Sequence, residues 1–272
     1  MPSPNAITAS QLNRLIGTPD CPVIIDVRIN EDFEANPTFI PTAFRHSHRT
    51  IENLVPDLAG RKVVVVCHGG LKLSEGTAAL LRLHGISAEY LDGGAEGWNA
   101  AGFVRIPATS VASGNVPGEQ IWVTRHRPKI DRIACPWLIR RFIDPKARFL
   151  FVSPSQVQGV ADRFGAVPFD VEDVFWSHRG DTCTFDTMVE EFGLKSEALE
   201  RLALVVRAAD TNRHDLAPQA AGLLAVSVGL SRMFMNDLQQ LEAGLGLYDA
   251  FYRWARDASD EGHDWLAAAK RG

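Results

Sequence analysis

Two regions of this chain hold residue types whose spacing can do chemistry. The first is Cys67-His68-Gly69-Gly70-Leu71-Lys72-Leu73-Ser74, a thiol followed by two glycines, a cation and a hydroxyl. A thiolate is a nucleophile toward sulfur. Successive backbone N–H groups at the start of a helix form a ready anion site. The second region is spread along the chain: Lys129 to Trp137, then His178-Arg179-Gly180 with Cys183 and Asp186, then Ala209-Asp210-Thr211-Asn212-Arg213. His178, Asp186 and Asp210 are of the types that make a mixed nitrogen and oxygen site for zinc, iron or manganese. Cys183 could join them as a soft fourth ligand or act as a second thiol. The same residues also read as an oxyanion pocket of Arg132, Arg140, Arg179 and Arg213, because guanidinium groups match tetrahedral anions. A third reading is an interior network of Arg–carboxylate pairs. Lys129, Asp131, Arg132, Cys135, Arg179, Cys183 and Arg213 are the wider membership of this second candidate site.

The elements that must position the first site are legible. Val63-Val64-Val65-Val66 is a β-branched run of the kind found in buried parallel strands. From Glu75 to His84 the spacing turns helical, with Leu80, Leu81 and Leu83 among the apolar positions. Cys67 therefore sits on a glycine-bearing turn between the end of a strand and the start of a helix, where the helix dipole favours a thiolate. A buried structural cysteine is the competing reading. Val23–Arg28 is a second apolar strand ending in Asp26-Val27-Arg28, and Glu89–Leu91 a third, followed by Asp92-Gly93-Gly94 and a helix start carrying Trp98.

In order and spacing these three segments resemble the rhodanese (sulfurtransferase) domain, over residues 5–106 or so. The resemblance implies an α/β fold: a rhodanese-type parallel sheet with flanking helices, and a loop cysteine that accepts sulfane sulfur as a persulfide. On that basis Cys67 is the nucleophile, and Arg28, His68, Gly69, Gly70, Leu71, Lys72, Leu73 and Ser74 bind the sulfur donor. His68 and Lys72 would add positive charge, and Asp26 with Arg28 would hold the loop. Many active rhodaneses have Arg and then Ser where this chain has Lys72 and Leu73. With Ser74 as the helix cap, the anion cradle would be one residue longer and suited to tetrahedral oxyanions. Leu73 stands where the related phosphatases need an Arg, which argues against phosphatase activity.

The stretch 105–118 is rich in Pro, Ser and Gly and marks a linker. Beyond it, Ile121–Thr124 and Arg148–Ser153 read as strands. Apolar residues at Ala134, Leu138, Ile139 and Phe142 trace a helical face with Pro136 in an early turn. Ser155–Phe164 and a segment around Leu199–Ala209 read as helices, while Phe169–Asp186 has little regular pattern. Pro218 precedes what reads as one long apolar helix from Leu223 to Leu241, apolar on every face and so central to its domain. The strings around Lys129–Trp137, His178–Asp186, Ala209–Arg213 and Asp215–Leu223 resemble the C-terminal domain of the chromate-resistance ChrB family. This resemblance runs from about Ile121 to Trp254. It implies an association with chromate or another oxyanion.

The organisation expected is a rhodanese-like domain at 1–106, a linker at 107–119 and a mainly helical α+β ChrB-like domain at 120–272. The chain has 272 residues with 46% hydrophobic and 22% charged content, as in a globular protein. Its net charge of −5 argues against a general nucleic-acid binder. The start of the chain lacks a signal-peptide pattern and no apolar run approaches a membrane span, so the expected location is the cytoplasm. Cys21, Cys67, Cys135 and Cys183 are too widely spaced for a zinc or disulfide signature. The function expected is an enzyme, a sulfurtransferase passing sulfane sulfur from a donor such as thiosulfate to an acceptor thiol or cyanide, with no cofactor required. The alternatives are a non-catalytic chromate sensor and a metal-dependent redox enzyme working through the second domain.

Overall fold

The computed structural model describes residues 4–112 and 115–262. Met1 to Ser3, Ser113 and Gly114 of the linker, and residues 263–272 of the second domain lie outside the described residues. In chain order the first half runs β1 (Ala6–Ile7), α1 (Ala9–Leu15), β2 (Val23–Asp26), α2 (Asn30–Ala35), β3 (Thr38–Phe39), β4 (Phe44–Arg45), α3 (Val55–Leu58), β5 (Lys62–Val66), α4 (Lys72–Leu83), β6 (Ser87–Leu91), α5 (Gly94–Ala100) and β7 (Ile106–Pro107).

The valine run is the centre of a five-stranded sheet in the order β1-β6-β5-β2-β4. Every pairing in it is parallel. Because side chains alternate along a strand, β5 feeds two cores. Val63, Val65 and Cys67 pack with Ile25, Ala78 and Leu81 against α4. Val64 and Val66 face the other way, into a core that also holds Ile24, Leu91 and Trp98.

The linker expected to be irregular begins with paired structure. β7 lies antiparallel to β3, and Ala108 N–H donates to the Pro37 carbonyl at 2.9 Å. Further on, the Asn115 side-chain amide bridges the Ala43 and Ile143 carbonyls at 2.7 and 3.1 Å.

The second half contains β8 (Ile121–Arg125), α6 (Asp131–Leu138), β9 (Arg148–Val152), α7 (Val157–Phe164), β10 (Val167–Pro168), α8 (Thr184–Glu191), α9 (Glu197–Asp210), α10 (Ala220–Met233) and α11 (Asp237–Asp257). A three-stranded parallel sheet, β10-β8-β9, stands beside the helices. The fold is thus a rhodanese-type parallel sheet with flanking helices followed by a mostly helical second half. Pro136 lies in the second turn of α6, where it lacks the N–H that a helix interior uses. The chain then widens into a π turn at Ile139–Ile143, closed by Asp144 N–H to the Ile139 carbonyl at 2.8 Å.

The expected long central helix is two helices. The chain breaks at Phe234–Asn236, where the Asn236 side chain accepts from the Leu238 and Gln239 amides and starts α11. Nor is α10 central. It buries Ala220, Leu223, Ser227 and Ser231, a single stripe of mostly small residues, and leaves Val226, Val228 and Met233 exposed. The interior belongs to α6 and α9. Trp137 of α6 packs among Phe142, Phe185, Tyr248 and Tyr252. Among the described residues, no helix is long and apolar enough to cross a membrane.

The two halves share one interior. The core containing Leu12, Ile16, Val64 and Trp98 continues into Trp137, Phe142, Tyr248 and Tyr252. Gly17 lies so close to the Phe142 and Tyr252 rings that a Cβ there would stand 2.6 Å from each. Thr42 N–H donates to the Phe142 carbonyl at 2.7 Å, and the Arg256 guanidinium donates to the Arg14 carbonyl at 3.0 Å.

Candidate functional site

Cys67 follows directly on β5 and is buried, with its Sγ 3.1 Å from the Ser74 hydroxyl. That hydroxyl also donates to the Leu71 carbonyl at 3.2 Å. Helix α4 begins at Lys72 with Leu71 in the cap position, so Ser74 lies inside its first turn. The longer cradle expected from a Ser74 cap is therefore not formed. The open loop is His68 to Leu71, and Lys72, Leu73 and Ser74 are already helical. Ser74 touches the thiol because the third helical residue of α4 turns back toward the strand end.

The loop is shaped from behind by the Asp92-Gly93-Gly94 turn. Ala95 N–H donates to the Cys67 carbonyl at 2.9 Å and Glu96 N–H to the His68 carbonyl at 3.0 Å. Gly70 and Gly94 have φ of +70° and +56° and lie back to back. A Cβ on Gly70 would stand 2.5 Å from the Leu91 carbonyl oxygen. Only glycine fits either position. The Cys67 and His68 carbonyls are thus turned toward α5, and no backbone carbonyl among the described residues accepts from the amides of His68, Gly69, Gly70 or Leu71. His68 is exposed with Nε2 3.2 Å from Glu96, and Leu71 and Lys72 are also exposed.

Arg28, expected to bind the sulfur donor, has its guanidinium committed to internal partners. It is buried, its Nε and Nη2 grip both oxygens of Asp26 at 2.6–3.0 Å, and it donates to the Asn36 and Thr38 carbonyls. Its guanidinium also lies over the Phe33 ring. These contacts tie the end of β2 to the α2–β3 segment.

The second site gathers around His178. Its Nε2 lies 3.3 Å from Asp210, 3.4 Å from Asp170 and 3.6 Å from Asp131. The ligand-type atoms of Asp131, Asp170 and His178 all fall within 4.8 Å of one another. Asp131 opens α6, Asp170 follows β10, and Asp210 closes α9. Side-chain exposure grades from 41% at His178 through 20% at Asp210 and 8% at Asp170 to none at Asp131. The N-terminus of α8 braces the two buried acids. Asp131 Oδ2 accepts from Thr184 N–H at 2.6 Å, and Asp170 Oδ1 accepts from the Thr184 hydroxyl at 2.9 Å. Asp170 Oδ2 faces Arg132 at 3.2 Å and Arg125 at 3.5 Å.

The electrostatics follow from that packing. Burial, then the charges of Asp210 and Asp170, push the Asp131 carboxyl well above the carboxylate range. Burial would also raise Asp170, but its contacts with His178 and Thr184 and the charges of Arg132 and Arg125 outweigh it and hold the group low. Asp170 first and then Asp210 raise His178 to about 10. Burial pushes the Cys135 and Cys183 thiols well up, with Asp131 adding to the effect in both. The backbone near this site is strained: Ile130, Asp170 and Asn212 have φ of +37°, +51° and +57°. Ile130 is held there by the Tyr248 hydroxyl, which donates to its carbonyl at 3.0 Å.

Of the three expected metal ligands, His178 and Asp210 meet and Asp186 does not. Asp186 Oδ2 accepts from the Cys183 N–H at 3.0 Å, capping α8, and lies 3.8 Å from Arg207. Cys183 is fully buried at the cap of that helix and is not among the ligand-type groups that gather with Asp131, Asp170 and His178. Asp131, in the wider expected set, and Asp170, outside it, are the acids that stand beside His178 together with Asp210. The signal for Asp170 was available: Val167-Pro168-Phe169-Asp170 ends an apolar strand in a carboxylate, as Ile24-Ile25-Asp26 does. The expected arginine pocket is dispersed. Arg140 pairs with Glu242, Arg179 with Glu191 and Arg213 with Asp215, and only Arg132 reaches the cluster. Lys129 is exposed beside it. A groove of about 250 Å³ between the halves, lined by Cys21, Arg45, Arg61 and Lys146 among others, touches neither site.

Residues 8–101 match the rhodanese-like domain family, and residues 122–255 match the family described as ChrB, C-terminal domain. The chain thus joins a rhodanese-like domain to a ChrB C-terminal domain. Over 149 residues it is 34% identical to Protein ChrB of Cupriavidus metallidurans, covering 52% of this chain and 44% of that protein. It therefore spans less than half the length of that relative. Among solved structures, it is similar to a rhodanese-like domain protein from Staphylococcus aureus, with 29% identity and a TM-score of 0.30 over 35% of this chain and 90% of that one. It is also similar to a thiosulfate sulfurtransferase from Pseudomonas aeruginosa, with 22% identity and a TM-score of 0.33 over 39% and 20% of the two chains.

Proposed function

We propose that the chain is a sulfurtransferase of the rhodanese type that works in the cytoplasm and serves resistance to chromate or a related oxyanion. The observation that carries the chemistry is the pairing of Cys67 with a loop whose four amides have no backbone acceptor. The Cys67 thiolate attacks the sulfane sulfur of thiosulfate. The sulfur–sulfur bond of the donor breaks, sulfite leaves with the bonding pair, and a persulfide anion remains on Cys67. An acceptor thiolate, or cyanide, then attacks the outer sulfur and takes it, returning the Cys67 thiolate. The free amides of His68 to Leu71 stabilise the anionic donor and the persulfide without a general base. Ser74 holds the sulfur on the loop side of the strand end. The chromate association rests on the ChrB-like half alone.

The test is intact-protein mass spectrometry after incubation with thiosulfate. The wild-type chain should gain one sulfur atom, lose it to cyanide, and fail to gain it as Cys67→Ser. An unmodified wild type, or an adduct that persists in Cys67→Ser, would overturn the proposal. The other cysteines are poor substitutes. Cys135 and Cys183 are buried with raised thiols, and burial lifts Cys21 to about 11.

A further inference from the structure

We propose that Asp131, Asp170 and His178 bind one divalent first-row transition-metal ion, with Asp210 as the adjoining carboxylate. The proximity of their ligand atoms is the first observation. The second is independent of it: Asp131 is fully buried, and its Oδ1 has no hydrogen-bond partner. Buried carboxylate oxygens are nearly always satisfied. The other oxygen, Oδ2, is the one that lies 3.6 Å from Nε2 and accepts from the Thr184 amide, so the same carboxylate both reaches the cluster and keeps an unpartnered oxygen.

The spacing has a third bearing. Nε2 lies 3.4 Å from Asp170 and 3.6 Å from Asp131, the two acids that share the ligand cluster with it. These separations match the distance of about 3.3–3.6 Å between neighbouring ligand atoms on a tetrahedron around an ion with metal–ligand bonds of about 2.0–2.2 Å. Each buried acid is also oriented by a second layer, Thr184 for Asp131 and Thr184 with Arg132 for Asp170. That is how ligating carboxylates are usually braced. Arg125 and Arg132 pair with Asp170, and His178 is the only basic side chain within 4.0 Å of a carboxylate oxygen of Asp131 or Asp210 among the described residues.

The donor set defines the ion. One imidazole with carboxylates suits zinc, iron(II) or manganese(II) better than calcium or magnesium, which prefer all-oxygen shells. The half-exposed His178 ring gives a way in from solvent. Three protein ligands leave room for a water or a substrate oxygen, as in metal sites that do chemistry.

The test uses the full chain, stripped with chelator and dialysed against zinc, manganese and, as a spectroscopic probe, cobalt(II). One ion per chain, a visible cobalt absorption and a raised melting temperature are expected. Affinity should fall at least about tenfold in His178→Gln and in Asp170→Asn, by analogy with the loss seen when supporting residues are removed. It should be unchanged in Asp215→Asn and in Cys67→Ser. His178 is exposed, so His178→Gln keeps the test valid should the buried variant misfold. Failure of the folded chain to take up any of the three ions, or uptake unaltered in His178→Gln, would overturn the proposal. Neither result bears on persulfide formation at Cys67.

Discussion

Substitution Gly94→Ala tests whether the turn behind the loop sets the geometry at Cys67. At Gly94 φ is +56°, and a Cβ would lie 2.5 Å from the His68 carbonyl oxygen and no farther from the Cys67 carbonyl oxygen and the Gly70 nitrogen. Carbon contacts are comfortable at about 3.5 Å, so the overlap is about 1 Å. All three neighbours are backbone, so no side chain can swing aside. The left-handed conformation by itself costs about 1–2 kcal/mol with a Cβ, and forced overpacking adds about 1–3 kcal/mol. Gly60 separates the two contributions, because it has φ of +73° with nothing within 4 Å. Gly60→Ala should carry the conformational cost alone. The excess in Gly94→Ala, read by urea unfolding, should be about 1–3 kcal/mol. Persulfide formation should also slow in Gly94→Ala and stay at the wild-type rate in Gly60→Ala. Equal stabilities for the two variants, together with wild-type sulfur uptake by Gly94→Ala, would refute the reasoning.

Two further substitutions probe the same half. Ser74→Ala removes the hydroxyl 3.1 Å from the Cys67 sulfur. Loss of a hydrogen bond of about 0.5–1.5 kcal/mol should slow thiosulfate-dependent persulfidation by up to about tenfold while leaving the fold intact. A single-turnover rate equal to wild type would discount the contact. Arg28→Ala strands the Asp26 carboxylate, since the pair is only 3% and 2% exposed. Removing one partner of a buried pair typically costs about 3–5 kcal/mol. Denaturant unfolding should show that loss, and a change below about 1 kcal/mol would mean that Asp26 finds another partner.

The first half was legible because each of its signals is local. Val63 to Val66 name a strand by composition, Gly93-Gly94 names a turn by backbone freedom, and Cys67 lies between them in sequence as in space. The place of Ser74 was misread because a serine near a helix start resembles a cap, whereas here Leu71 ends the loop without any side-chain cap. The second site resisted reading because its members come from three separate segments: the start of α6, the connection from β10 to α8, and the end of α9. His178, Asp131, Asp170 and Asp210 are brought together only by the docking of α6, α8 and α9. Asp186 lies as far from His178 in sequence as Asp170 does, yet helical geometry turns it back onto its own cap. The apolar run from Leu223 to Leu241 misled for a related reason. Hydropathy does not show that α10 buries only one stripe, nor that Asn236 restarts the chain as a new helix.

The interior common to both halves makes them one cooperative unit. Separated from its partner, the first half would offer Val64, Val66, Ile24 and Trp98 a truncated core, and Gly17 would lose the Phe142 and Tyr252 rings that cover it. Asn115 rivets Ala43 to Ile143 across the same seam. Two bodies that unfold together share their stabilisation, so a ligand bound only by the folded state protects both. At a hundred times its dissociation constant, it contributes about 2.7 kcal/mol wherever it binds. An ion held at the His178 cluster as proposed would therefore raise the unfolding free energy of the half that carries Cys67, and the joint between the halves would act as a weld rather than a hinge.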